Sequence, residues 1–246
     1  MAETNEVRNS STESNELLAK AKGIWASYNK MIVYGGTAVI LLLVGWIGYQ
    51  KLIKEPKELK AEQTIFLAEG LFGKMATSGF NKDSVNIVLN GGVLDGINIR
   101  SNITGLLKVI NTYGGTNTAN RASYMAGACY LQIKEFDKAI KYLKDFDGNG
   151  ADQIESKADL MLGHAYAEKN QKEEAMSAYK KAAEVNEKDE SITPDALMVC
   201  GNYAEFNGKN EEAIGFYKKI KDKYPTYSAV SSGDVDKRLA RLGELN

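Results

Sequence analysis

One block of residues returns three times in the second half of this chain, and it restricts the fold more than any other feature. Aligned on a glycine, the copies read Met125-Ala126-Gly127-Ala128-Cys129-Tyr130, Met161-Leu162-Gly163-His164-Ala165-Tyr166 and Val199-Cys200-Gly201-Asn202-Tyr203-Ala204. Twelve residues after each glycine stands an alanine (Ala139, Ala175, Ala213), and four residues further a large side chain (Leu143, Tyr179, Tyr217). The glycines lie 36 and 38 residues apart. The segments between glycine and alanine are polar: Lys134-Glu135, Asn170-Gln171-Lys172 and Gly208-Lys209-Asn210. Each copy therefore reads as two helices joined by a short turn. Glycine on the first and alanine on the second let the pair approach closely, and the bulky residue is expected to fill the gap to the next copy.

These residues resemble the tetratricopeptide repeat, a helix–turn–helix of about 34 residues whose copies stack into a solenoid. Two departures stand out. Ala204 occupies the place of the aromatics Tyr130 and Tyr166, and the copies carry extra residues. Those are expected in the loops around Gly148-Asn149-Gly150 and Asp189-Glu190-Ser191. The third copy closes on Lys223-Tyr224-Pro225. The resemblance implies an all-α fold with three tetratricopeptide repeats over residues 118–246. A capping helix marked by Val235, Leu239 and Leu242 should hide the last open face, as a stack of repeats requires. Residues 50–117 are less regular and are expected to form degenerate helical repeats. Pro56 can open a helix, since its missing N–H costs nothing in a first turn. Ala61, Ile65, Ala68, Phe72 and Met75 then mark one face at helical spacing. Further helical stretches are expected over 84–89 and 99–110, separated by Asn90-Gly91-Gly92 and ended by Tyr113-Gly114-Gly115.

Residues 31–49 form an uninterrupted run without a charged side chain, flanked by Lys30 and Lys51. As a helix it would extend roughly 29 Å, close to the ~30 Å hydrocarbon core of a bilayer. A cleaved signal peptide would want a basic start and a small-x-small site. Here the first sixteen residues are polar and mildly acidic, and Gln50-Lys51-Leu52-Ile53-Lys54-Glu55-Pro56 offers no such site. A buried soluble helix would carry a polar face. The run thus reads as a transmembrane anchor, with Tyr34, Trp46 and Tyr49 near its ends as interfacial aromatics. Residues 1–16 read as a disordered polar tail. Residues 17–30, with Leu17, Leu18, Ala21, Ile24, Trp25 and Tyr28 at helical spacing among lysines, suit a helix lying in the headgroup region. The alternative is an upward continuation of the span. Lysines do not fix the topology: three precede the run within twenty residues (Lys20, Lys22, Lys30) and four follow it (Lys51, Lys54, Lys57, Lys60). The net charge of −1 carries no basic balance that would suggest nucleic acid.

The order of parts is similar to that of bacterial single-pass tetratricopeptide membrane proteins. That order is a short polar tail, one span, a Pro-opened helix, the Tyr113-to-Thr116 loop and three repeats ending in Tyr-Pro. More remotely the chain resembles the YfgM-like family of ancillary Sec-translocon subunits. The resemblance implies an anchor in the bacterial inner membrane with the N-terminus cytoplasmic and the repeat domain periplasmic. It also implies protein partners, namely the translocon and an associated periplasmic chaperone or prolyl isomerase. A structural scaffold subunit of another envelope complex is the alternative.

Catalytic patterns are missing from the sequence. His164, the single histidine, has no Cys or second His nearby in sequence to make a metal site or a base-assisted nucleophile. The paired glycines lack the setting of phosphate loops. Asn102-Ile103-Thr104 matches a glycosylation sequon, a short pattern that recurs by chance. Cys129 and Cys200 sit in apolar helical patterns a whole copy apart, too far for a bridge. No cofactor, metal or small-molecule substrate is expected. What remains is a binding surface. In stacked helix pairs the first helices line the concave face. The positions six before, three before, one after and four after each glycine should point into it. They are Arg121, Tyr124, Ala128 and Leu131; Lys157, Leu160, His164 and Ala167; and Asp195, Met198, Asn202 and Glu205. This face has mixed charge and an apolar middle, which suits an extended or helical partner segment.

Overall fold

The computed structural model describes residues 3–95 and 100–244, with the side chains of 1–17, 94–101 and a few positions between 21 and 32 outside that description. It divides into two compact units, Met1–Pro56 and Lys57–Asn246.

In the first unit α1 (Glu3–Tyr49) is one continuous helix, followed by a single π-helical turn, Gln50–Lys54. The backbone is helical from Glu3, so neither a disordered stretch over 3–16 nor a separate helix over 17–30 is distinguished. No proline interrupts these residues. The apolar side chains of the run stay in the open: Tyr34, Leu42 and Met31 are each more than 70% exposed. The helix is long and apolar enough to cross a membrane, and none of its apolar window is buried in the chain. The π turn has a local cause. A proline ring clashes with the carbonyl four residues earlier and donates no hydrogen bond. For Pro56 that carbonyl belongs to Leu52, inside the widened turn.

The second unit opens with α2 (Glu55–Ser78), which starts at the unit boundary, and continues with α3 (Lys82–Asn90). α2 buries Ala61, Ile65, Ala68, Leu71 and Met75, and Phe72 is half-buried beside them. Between α3 and α4 (Leu106–Tyr113) the expectation of a helix over 99–110 fails at its start. Arg100–Ile103 is a strand, β2, paired antiparallel with β1 (Gly92–Asp95) in the register Gly92↔Ile103 to Asp95↔Arg100. The physical reason is legible afterwards. Asn90-Gly91-Gly92 breaks the helix before it, and Val93 and Ile103 are β-branched residues that favour extended backbone. Gly91 ends α3 at φ +86, and any side chain there would put its Cβ 2.8 Å from the Ile103 carbonyl oxygen. α2 is locked onto the Tyr113-to-Thr116 loop by Lys57 Nζ, which donates to the Gly114 carbonyl at 2.6 Å. Glu58 then caps the following helix from a distance in sequence. Its carboxylate accepts from Asn117 N (2.7 Å), Thr118 N (2.8 Å) and Thr118 Oγ1 (2.7 Å). Burial works to raise the Glu58 pKa, but these bonds and the Arg121 charge outweigh it and hold the carboxyl below its usual value.

Three helix pairs follow: α5 (Asn117–Gln132) with α6 (Phe136–Lys144), α7 (Asp152–Glu168) with α8 (Lys172–Glu184), and α9 (Ile192–Phe206) with α10 (Asn210–Lys223). Each first helix stops the same way. Lys134, Asn170 and Gly208, all seven residues past the repeat glycine, take left-handed φ of 62°, 57° and 72°. The next amide then reaches back to the helix: Glu135 N to Tyr130 O, Gln171 N to Tyr166 O and Lys209 N to Ala204 O, each at 2.9 Å. This six-to-one closure satisfies carbonyls that the helix end would otherwise leave bare. The longer loops hold Gly148–Gly150 and Asp189–Ser191.

The repeat glycines are seats, though not as the sequence suggests. A Cβ on Gly127 would stand 2.5 Å from Leu143 Cγ, on Gly163 3.0 Å from Tyr179 Cζ, and on Gly201 2.9 Å from Tyr217 Cδ1. The bulky residue therefore lies over the glycine of its own pair, where only a missing side chain leaves room. Two hydrophobic clusters result, the first around Ile65, Val88, Leu106, Met125 and Leu143, the second around Tyr179, Leu197, Tyr217 and Ile220. After α11 (Ser228–Ser231), α12 (Asp234–Arg241) closes the second cluster with fully buried Val235 and with Leu239, while Leu242 packs at its edge.

Candidate protein-interaction face

The first helices of the three pairs carry the twelve positions singled out from sequence, and the structure treats them unequally. Ala128 is buried, 7% exposed, so it is not part of any open face. Its small side chain sits inside the packing of α5. Tyr124, Leu131, Leu160, Ala167, Met198 and Glu205 are half-buried, while Arg121, Lys157, His164, Asp195 and Asn202 are exposed. Tyr124 packs on Phe146 with ring centroids 5.3 Å apart. His164 leans on the ring of Tyr179, and the two share a 2.8 Å hydrogen bond between Nδ1 and the phenol. This packing desolvates the imidazole and lowers its pKa, which favours the neutral ring.

The row extends beyond the three pairs at both ends, and sequence spacing alone missed this. At the amino-terminal end α2 stands beside α5, with Glu69 Oε1 3.6 Å from Arg121 Nε. Phe72 of α2, Tyr124, Met125, Phe146 and Ile154 line an apolar cavity of about 470 Å3, with the Glu69–Arg121 pair at its margin. At the other end α12 stands where the first helix of a fourth pair would stand. Arg238 and Arg241 follow Asn202 and Glu205 by 36 residues each and meet them side by side. Arg238 Nη1 donates to Asn202 Oδ1 at 2.5 Å, and Arg241 pairs with Glu205. Tyr217 OH also donates to Glu205 Oε2 at 3.1 Å, and Tyr227 OH donates to Asp195 Oδ1 at 2.5 Å. The polar members of the third pair are thus already engaged, whereas in the second pair Lys157 is exposed and His164 is held by Tyr179. A signal for this exists in the sequence: the 36-residue offset of the two arginines equals the spacing between the first two repeat glycines.

Among the described residues no group of three or more His, Cys, Asp or Glu side chains is placed to hold a metal ion. Both cysteines are free and buried, and burial pushes each thiol up to about 12, so neither is a ready nucleophile.

Three segments of the chain match tetratricopeptide repeat family models: residues 121–147, 160–189 and 201–227. With the helix pairs above, they establish an all-α tetratricopeptide-type solenoid following an amino-terminal apolar helix. No curated protein matches the chain in sequence. Among solved structures, the chain is similar to a kinesin light chain protein of Podosopora anserina with nearly identical TPR-like repeats. The two share 12% identity, 77% of this chain and 87% of that chain are covered, and the TM-score is 0.49.

Proposed function

We propose that this chain is a membrane-anchored, non-catalytic protein-binding module that assists protein export at the Sec translocon, beside a periplasmic chaperone or prolyl isomerase. The observation that carries the binding reading is the row of first helices, matched to a repeat whose use is protein–protein interaction, with an apolar cavity between α2, α5 and α7. The anchor reading is supported by the apolar helix whose side chains find no cover within the chain. The translocon assignment draws on the order of the parts alone. In this reading residues 31–49 span the bacterial inner membrane, the N-terminus is cytoplasmic and residues 51–246 face the periplasm.

Affinity purification of the full chain in mild detergent tests this. Translocon subunits should co-purify with the wild type and be lost from a Tyr124→Ser, Leu160→Ser, Met198→Ser variant that keeps wild-type helix content. A different stable envelope complex in their place would make the chain a scaffold subunit. Retention of the translocon by a folded triple variant would move the contact off this face.

Orientation has its own test. A membrane-impermeant thiol reagent applied to intact spheroplasts should label a Ser228→Cys variant, since residue 228 is exposed and both native thiols are buried. Labelling that appears only after lysis would reverse the topology.

A further inference from the structure

A second cavity, also of about 470 Å3, opens between α6 and α8, the second helices of the first two pairs. Its α7 members include Ala158, Asp159, Leu162 and Tyr166. At about 100° per residue they centre roughly 180° around the helix from Lys157, Leu160 and His164, so this is the opposite side of the repeats. Asp159 is the anomaly there. Its side chain is only 8% exposed. Oδ1 accepts from Lys181 Nζ at 3.1 Å, but Oδ2 is buried without a hydrogen-bond partner. A buried acceptor left unpaired keeps its full desolvation penalty, which is larger for a charged group. Lys181 cannot remove that cost. It is a point donor, 63% exposed, and it also lies 3.8 Å from Glu155 Oε1.

The surroundings define what would complete the site. Glu155, Glu173 and Glu174 join Asp159 in lining the cavity, against Lys144 and Lys181, which leaves an excess of negative charge. Leu143, Phe146, Leu162 and Tyr166 add apolar walls. A planar guanidinium presents two parallel N–H donors matched to both oxygens of one carboxylate, and its aliphatic stem packs on apolar surface.

We infer that this cavity receives an arginine side chain from a partner polypeptide, its guanidinium bidentate on Asp159 in place of the Lys181 ammonium. Lys181 is then an internal placeholder that the partner displaces. The inference goes beyond the function proposed above, which uses the other face, and each stands or falls separately.

The test titrates the full chain in mild detergent with the probe peptide acetyl-Gly-Leu-Arg-Leu-Gly-amide and with its citrulline counterpart, read by calorimetry. The arginine peptide should bind at least tenfold more tightly than the citrulline one. Asp159→Asn should abolish that difference. Lys181→Met, which keeps the stem and removes the competing charge, should tighten binding several-fold. A pair of exposed changes at the rim, Glu173→Gln with Glu174→Gln, should weaken it without disturbing the fold, and so decides the matter if Asp159→Asn melts. The variant Tyr124→Ser, Leu160→Ser, Met198→Ser should bind the peptide as the wild type does. Equal binding of the two peptides, no binding to either wild type or Lys181→Met, or weaker binding by Lys181→Met overturns the assignment.

Discussion

A Gly163→Leu chain is expected to lose the packing between α7 and α8 and to melt far below the wild type. A Cβ alone would stand 3.0 Å from Tyr179 Cζ, with the nearer ring carbons closer still. The ring has little freedom to retreat. Its hydroxyl is bonded to His164, and its ring packs T-shaped against Tyr203 with centroids 5.1 Å apart. Overpacking of this kind costs typically 1–3 kcal/mol and occasionally more, and the immobile ring puts this site at the upper end, roughly 3 kcal/mol. For a domain of this size that is a fall in Tm of about 6–12 °C. Thermal melts of the full chain in detergent, followed by circular dichroism, check it. Adding Tyr179→Ala to Gly163→Leu should recover part of the loss, because the clash is between these two positions. A melting point within two degrees or so of the wild type would show that α7 and α8 are not apposed as described.

The second large effect is expected from α12. Val235 is fully buried and Leu239 is 4% exposed, both in the cluster with Tyr217 and Ile220. Burial of such side chains contributes about 1.5–3 kcal/mol each, so Val235→Asp with Leu239→Asp removes roughly 3–6 kcal/mol before the cost of burying a charge is counted. The helix should detach, and limited proteolysis should then cut between residues 226 and 244 well before the preceding pair is attacked. The same change takes Arg238 and Arg241 away from Asn202 and Glu205. A double variant as protease-resistant as the wild type would mean that α12 is not the closing element.

How far the fold was legible depended on whether a residue's partner lay at a fixed offset. Gly127, Gly163 and Gly201 announced the pairs because a close helix crossing admits no other residue, and the polar turns marked where each first helix stops. The apolar face of α2 was also readable, since Ala61, Ile65, Ala68 and Met75 meet the core at helical spacing. The hairpin at Gly92–Asp95 and Arg100–Ile103 was not. Ile99, Ile103 and Ile110 stand four and seven residues apart, a spacing that fits a helical stripe, and only the pairing decides. For the site, the positions on α5, α7 and α9 followed from the repeat, but the burial of Ala128 and the neighbours from α2 and α12 did not. Arg121 meets Glu69 across 52 residues, a contact that no local spacing specifies. Asp159 was passed over for a related reason: a lone carboxylate in a helix reads as solvated until the structure shows it shut in.

The closure at α12 has a mechanical side. With the second unit held at α2 and drawn from residue 244, α12 carries the load next to the point of pull, and among the described residues the buried Val235 and Leu239 and a few exposed polar contacts oppose it. Once that helix peels away, Tyr217 and Ile220 lose their cover and α10 becomes the next to yield. The chain would therefore lengthen pair by pair from the far end. The cluster around Ile65, Leu106 and Met125, whose α2 is tied to the α4–α5 junction by Lys57 and Glu58, would be the last to give.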